Sequence, residues 1–282
     1  MLATTSATVR LIITRPAAQA AQWVQQLSAL GVDAVTLPLI DIAAVSNLAP
    51  LHQAWHELPR YALVMFVSAN AVVQFFAAAS VAVVWPHSVR AGATGPGTTA
   101  ALLTAGVPAS HIVAPGAAAV QFDTEALWAE LAQEPWHGRE VLVVRGEDGR
   151  DWLADTLTAA GARVAFLAAY ARFEPDWAAS QAALLAAALA RPHQHVWHFS
   201  SSQAVGHLAA QGQRLAAPAD WTGSVAIASH PRIVQAAREC GFGHVERVDA
   251  DVGAVAAWWR AWALAQGSAA AEPAAGPFGA LA

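Results

Sequence analysis

Leu11-Ile-Ile-Thr-Arg15 returns 130 residues later as Val141-Leu-Val-Val-Arg145, and this pair decides the fold. Each run is a short apolar stretch closed by an arginine, the pattern of a strand buried on both faces. At the same offset Leu27 falls on Leu157, Gly31 on Gly161 and Leu37 on Leu167. Farther along, Phe66-Val-Ser-Ala-Asn-Ala-Val72 lies over Phe199-Ser-Ser-Ser-Gln-Ala-Val205 at an offset of 133, and Pro96 and Gly106 match Pro231 and Gly241 at 135. A slowly drifting offset is what loop insertions leave in a duplicated chain.

Between these landmarks, short apolar runs alternate with helical patterns. Leu11–Thr14 reads as a strand. Ala17–Leu30 reads as a helix with Trp23, Leu27 and Leu30 at helical spacing, stopped by Gly31. Val32–Leu37, Ala62–Val67 and Val89–Thr94 read as further strands, with helices starting near Asn70 and Thr98. Such alternation predicts an α/β fold, with parallel sheets covered by helices on both faces. A length of 282 residues suits two units of this kind.

Composition removes several function classes. Fifteen Lys+Arg in a chain of net charge −5 make no basic face, so no nucleic-acid partner is expected. The single cysteine, Cys240, forms no intrachain disulfide and fits the reducing cytoplasm. Met1–Arg10 lacks a basic stretch followed by an apolar core, so no secretory signal is expected. No apolar run reaches the roughly 18 residues of a membrane span. The Ala/Gly/Pro/Ser-rich end, residues 263–282, reads as a disordered tail.

Polar residues gather where predicted strands end and helices begin: Arg15, Ser68–Asn70, Thr94–Thr98, Arg145–Arg150, Ser200–Ser202 and Ser229–Arg232. In α/β units, ligands bind beyond the carboxyl ends of the strands. Free N–H groups at helix starts, joined by hydroxyls, hold anions there. Any one of these serines or threonines is also an ordinary helix cap. Their recurrence in both repeats favours a binding role. Arg145-Gly-Glu-Asp-Gly-Arg150 is either a solvated loop or an arginine-lined carboxylate site.

Gly92-Ala-Thr-Gly-Pro-Gly97 has neither dinucleotide nor Walker spacing, and no lysine follows it. His193, His195 and His198 cluster without cysteines or a His-Glu-x-x-His frame, which favours surface or core histidines. No metal, flavin or nicotinamide is therefore expected. Tyr170 is one of two tyrosines and stands where the 130-residue offset puts Ile40. A phenol in place of an aliphatic side chain suggests a specific task, although a buried tyrosine with a satisfied hydroxyl fits the pattern too.

The ordered series Thr14-Arg15-Pro16, Pro38–Ile42, Phe66–Val72, Gly95-Pro-Gly-Thr98, Glu125-Ala-Leu127, Arg145–Arg150, Tyr170-Ala-Arg172 and Phe199-Ser-Ser201 resembles the uroporphyrinogen-III synthase family, over about Val9 to Ala257. Thr124 stands where the family commonly has serine, and Ser229-His-Pro-Arg232 is less glycine-rich than Gly95–Thr98.

The resemblance implies two similar parallel-sheet α/β lobes, flavodoxin-like, joined by a two-stranded β linker. Residues 1–37 and 173–262 would form one lobe and 43–166 the other, with 38–42 and 167–172 as linker strands. It also implies an activity, the closure of the linear tetrapyrrole hydroxymethylbilane to uroporphyrinogen III with one ring inverted and water lost. That task is mainly conformational control plus help for a departing hydroxyl. Tyr170 would supply the help. Ser68, Asn70, Thr98, Ser200, Ser201 and Ser229 would hold carboxylates, with Arg15, Arg145, Arg150 and Arg232 as further candidates. Because many groups share the carboxylates, losing one hydroxyl such as that of Ser68 should cost less than losing the phenol. A cytoplasmic monomer is implied, without cofactor, taking its substrate by transient hand-over from the preceding pathway enzyme. The rival readings are a two-lobed small-anion binding protein without catalysis, and a regulatory module that docks another protein.

Overall fold

The computed structural model describes residues 9–79, 84–116, 123–147 and 151–269, and the side chains of these up to 265. The chain opens with strand β1 (Arg10–Ile13), helix α1 (Ala17–Ala29), β2 (Ala34–Thr36), β3 (Asp41–Ala44) and α2 (Ala49–His56). Next come β4 (Leu63–Phe66), α3 (Ala69–Ala77), β5 (Arg90–Ala93), α4 (Pro96–Thr104), β6 (Ile112–Val113) and α5 (Thr124–Leu131). The second repeat runs β7 (Glu140–Gly146), α6 (Trp152–Ala159), β8 (Arg163–Phe173), α7 (Ala179–Ala190), β9 (His195–Phe199) and α8 (Ser202–Gln213). It ends with β10 (Val225–Ala228), α9 (Pro231–Glu239), β11 (His244–Arg247) and α10 (Val252–Ala269).

Two compact units result. One draws on the chain up to Asp41 and from Glu174 onward, and the other is Ile42–Phe173. The first holds a five-stranded sheet of order β11-β10-β9-β1-β2, the second a six-stranded sheet of order β3-β8-β7-β4-β5-β6. The pairs β2–β1–β9–β10–β11 and β8–β7–β4–β5–β6 are all parallel. Under the sequence repeat β1 matches β7, β2 matches β8, and β9, β10 and β11 match β4, β5 and β6. The two sheets therefore share one strand order. Each sheet takes the first part of one repeat and the second part of the other.

The unbroken apolar runs follow from burial on both faces. In β4, Val64 and Phe66 enter one core and Leu63 and Met65 the opposite one; in β7, Leu142 and Val144 split from Val141 and Val143 in the same way. Phe66 is fully buried and meets the rings of Phe75 and Trp85. Truncating such a side chain to alanine costs about 3–5 kcal/mol. The stops after α1 and α6 are set by Gly31 and Gly161, at φ +77° and +92°, which a residue with a Cβ adopts only with strain.

Some boundaries differ from the sequence reading. Regular strand near residue 40 begins only at Asp41. Ahead of it, backbone bonds from Leu37 N–H to the Ile13 carbonyl at 2.9 Å and from Leu39 N–H to the Thr14 carbonyl at 3.3 Å hold the segment beside β1. The carbonyl of Pro38 accepts from Trp177 Nε1 at 3.1 Å, and His207 Nδ1 lies 2.6 Å from the carbonyl of Leu39. Strand β8 is longer than the 167–172 expected. Residues 263–269, assigned to the tail by composition, are the last turns of α10. Trp258, Trp259, Trp262 and Ala263 pack on the first unit's core, and that burial carries the helix past the point where composition suggested disorder.

Candidate active site

In the second unit, Phe66 pairs with Ala93 and with Val144. Because the strands are parallel, Val67–Ser68, Thr94–Gly95 and Arg145–Glu147 leave the sheet on one edge. Ser68 adopts extended backbone and its Oγ accepts from the N–H of Ala71 at 3.2 Å, capping α3. Asn70 follows in the first turn, half-buried. Thr94 Oγ1 donates to the carbonyl of Val67 at 3.2 Å and ties the two loops together. Thr98 is buried in the first turn of α4, which starts at Pro96. Arg145 lies 4.2 Å over the Phe166 ring and pairs with Asp151. Arg150 lies outside the described residues.

Tyr170 reaches the same edge through a slip in register. The β7–β8 ladder runs evenly from Glu140 opposite Arg163 to Arg145 opposite Ala168, then shifts so that Gly146 pairs with Tyr170. A Cβ on Gly146 would sit 3.0 Å from Cε2 and 3.2 Å from Cζ of Tyr170, so glycine makes room for the ring. Tyr170 is fully buried. Its hydroxyl lies 3.1 Å from Ser68 Oγ and accepts from Arg172 Nη2 at 2.6 Å.

The first unit presents a matching edge, with Ile13 beside His198 and Ala228 beside Phe199. Thr14–Arg15, Ser200–Ser201 and Ser229 follow those strands. Ser201 Oγ caps α8 by accepting from Gln203 N–H at 3.2 Å, as Ser68 caps α3. At α9 the cap is His230, whose Nδ1 accepts from Arg232 N–H at 3.2 Å, while Ser229 is half-buried beside it and the Arg232 side chain is exposed. Arg15 stacks 4.1 Å over the Trp23 ring, which lies 4.8 Å from the ring of His198. Arg15 Nε is buried without a hydrogen-bond partner, and burial lowers the guanidinium pKa to about 10. Burial, then the Arg15 charge, pushes the His198 imidazole down to about 3, so it is neutral. The Thr14 hydroxyl donates to the His198 carbonyl at 2.7 Å.

The structure thus brings Tyr170 and Ser68 into direct contact and spreads the other sequence candidates over two strand edges. Sequence reasoning left out Arg172 and Gly146 as site residues, while His198, read as a surface or core histidine, is buried. Alternate residues on a strand share a face, so the spacing Tyr170-Ala-Arg172 carried the signal for Arg172. Among the described residues, no group of three or more His, Cys, Asp or Glu is placed to hold a metal ion, and no helix is long and apolar enough to cross a membrane.

These features define a two-unit α/β protein with hydroxyl- and arginine-bearing strand edges and one buried phenol chain. A profile of the family described as uroporphyrinogen-III synthase HemD matches residues 21–256, and the chain belongs to that family. A uroporphyrinogen-III synthase of Salmonella typhimurium is 34% identical over 165 residues, 57% of this chain. The match spans 64% of that relative, under two thirds of its length. In fold, the chain resembles a mutant uroporphyrinogen III synthase of the extreme thermophile Thermus thermophilus, with TM-score 0.57, 16% identity, and 92% of this chain and all of that one covered. It also resembles the uroporphyrinogen-III synthetase of Helicobacter pylori, with TM-score 0.54, 14% identity, and 91% and 100% coverage.

Proposed function

We propose that this chain closes hydroxymethylbilane to uroporphyrinogen III, inverting ring D and releasing water. Membership of the family supports the reading. The observation that carries it is the contact of Tyr170 with Ser68 and Arg172 at a strand edge, a proton-donating group beside anion-holding turns.

The substrate is a flexible chain with eight carboxylates. Loss of its terminal hydroxyl gives an electrophilic azafulvene, which the substituted carbon of the far ring attacks to form a spiro intermediate. That intermediate fragments and recloses with the ring reversed. Closure without an enzyme gives the uninverted isomer, so the protein's work is to hold one geometry and to help water leave. The capped helix starts behind Ser68 and Ser201, the loop at Ser229, and the guanidinium groups of Arg15 and Arg145 hold carboxylates by charge-assisted hydrogen bonds. The shared strand order supports a pair of flavodoxin-like lobes, with β3 and β8 as the linker. On this reading the protein is a cytoplasmic monomer that receives its substrate from the enzyme that makes it.

The test is incubation of the purified full chain with freshly generated hydroxymethylbilane, followed by separation of the product isomers. Uroporphyrinogen III at well above the spontaneous rate is expected. The uninverted isomer alone, formed at the spontaneous rate, would leave a small-anion binding protein as the better account.

A further inference from the structure

The geometry points to Ser68 as the group that hands the proton to the departing hydroxyl, with Tyr170 as the relay behind it and Arg172 as the positioning residue that sets the relay's direction. The inference rests on the proposed reading and reverses the expectation that one hydroxyl matters less than the phenol.

A guanidinium only donates hydrogen bonds. The 2.6 Å contact from Arg172 Nη2 therefore makes the phenol oxygen an acceptor on that side. The phenol has one hydrogen of its own, and Ser68 Oγ lies 3.1 Å away to take it. Ser68 Oγ also accepts from the N–H of Ala71. It accepts twice, so its own hydrogen is needed by neither neighbour. Tyr170 is fully buried, whereas Ser68 is half-buried at the strand edge. The accessible end of the chain Arg172→Tyr170→Ser68 is the serine. The repeat supports a chemical purpose: Ser201 caps α8 in the same way, yet both tyrosines of the chain, Tyr61 and Tyr170, belong to the second unit. Capping needs neither the phenol nor the arginine.

In the step, the carbon–oxygen bond of the substrate's hydroxymethyl group breaks and its electron pair stays on oxygen. That oxygen takes the Ser68 proton and leaves as water, while the pyrrole nitrogen lone pair fills the electron gap as the azafulvenium forms. Ser68 is reprotonated from Tyr170, and the phenolate is paired with the Arg172 guanidinium. Reclosure later releases a proton from the α-carbon of the inverted pyrrole that has just attacked, as that ring regains aromaticity, and it returns along the same path. No other reactant is consumed.

Measure turnover at saturating bilane, product isomer ratio and thermal midpoint for Tyr170→Phe, Ser68→Ala, the double variant, Ser68→Thr, Arg172→Met and Arg172→Lys. A relay predicts that Tyr170→Phe and Ser68→Ala each lose on the order of 10²–10⁴-fold in turnover. The double variant should lose no more than the worse single one, as members of one functional unit do. Ser68→Thr keeps both hydroxyl and cap and should restore most turnover, and Arg172→Lys should recover part of what Arg172→Met loses. The inverted isomer should dominate throughout. A folded Ser68→Ala enzyme within a few-fold of wild type, or losses that multiply in the double variant, would overturn the relay. A wild-type chain that leaves the bilane to close spontaneously would instead sink the proposed function, and the relay with it.

Discussion

Arg15 and Arg145 end equivalent strands, yet their surroundings differ. Arg145 has Asp151 for a partner and Phe166 beneath it; among the described residues Arg15 has the Trp23 ring and no ion-pair partner, and its Nε is buried without a hydrogen bond. The residue after each differs too. Pro16 fits at the start of α1, while Gly146 leaves the space that the Tyr170 ring fills. The same strands, the serine caps of α3 and α8 and the glycine stops occur twice. The contact of Tyr170 with Ser68 and Arg172 lies in the second unit, and the Arg15 guanidinium stacked on Trp23 in the first. One frame carries two kinds of chemistry because strand order depends on the buried alternation, whereas chemistry depends on a few residues at the edge.

Outside the relay residues themselves, the largest expected effect on turnover comes from breaking that difference at Gly146. Gly146→Ala places a methyl group 3.0 Å from the Tyr170 ring, so the ring must move. Overpacking of this kind costs about 1–3 kcal/mol of stability. The contact is relieved by a shift of a few tenths of an ångström, and a misplacement of about 1 Å costs roughly 10²-fold in rate. Turnover of the folded variant, checked by circular dichroism, should fall measurably but by less than that factor. Turnover near wild type would show that the Tyr170 ring position is not critical.

The second prediction uses His198 in the first unit, whose repeat partner is Met65. Its folded pKa of about 3 lies below the ordinary 6.5. Between those values the unfolded chain binds a proton that the folded chain refuses, so stability rises with pH there. The contribution is fully present above pH 6.5 and is lost as pH falls toward 3. From pH 7 to pH 5 the loss is about 2 kcal/mol. His198→Met should remove that share of the pH dependence in denaturant midpoints. An unchanged slope would mean that the imidazole keeps or finds a partner when protonated.

Much of this was legible in the sequence because it rests on local pattern. The arginine-closed apolar runs, Gly31 and Gly161, and the prolines opening α4 and α9 all mark real element boundaries. The mixed α/β class and the family follow from the same landmarks. What the sequence did not reveal depends on tertiary burial. Nothing local shows that Tyr170 is fully enclosed, that His230 rather than Ser229 caps α9, or that α10 continues to Ala269 because its tryptophans pack on the core. The joint change from Pro16 and Ile40 to Gly146 and Tyr170 was visible in the repeat, but its meaning needed the ring-to-glycine distance.

The third prediction sharpens the contrast between the arginines. Among the described residues Arg15 has no carboxylate partner, so a substrate carboxylate would relieve a desolvated charge. Arg15→Met should raise KM by up to about tenfold with little change in kcat, the mark of uniform binding. Folding stability should hold, because the lost stacking is offset by removal of a buried charge. Arg145→Met should change KM less, since its guanidinium is already engaged by Asp151. The reverse order would place the carboxylate site in the second unit alone.

The smallest kinetic effect is expected at Ser201, the first unit's counterpart of the Ser68 cap. Ser68 and Ser201 each accept one helix N–H at 3.2 Å, so alanine at either position should cost about 1 kcal/mol of stability. Their kinetic effects should separate. Both tyrosines of the chain lie in the second unit, so Ser201→Ala removes a cap and one shared hydroxyl but no phenol relay. Its turnover should stay within a few-fold of wild type, with at most a modest rise in KM. Equal stability losses with unequal rates would separate the frame, present twice, from the chemistry, present once. Equal stability losses with equally large rate losses would mean that both units take part in proton delivery, and that the phenol beneath Ser68 is not what makes that edge reactive.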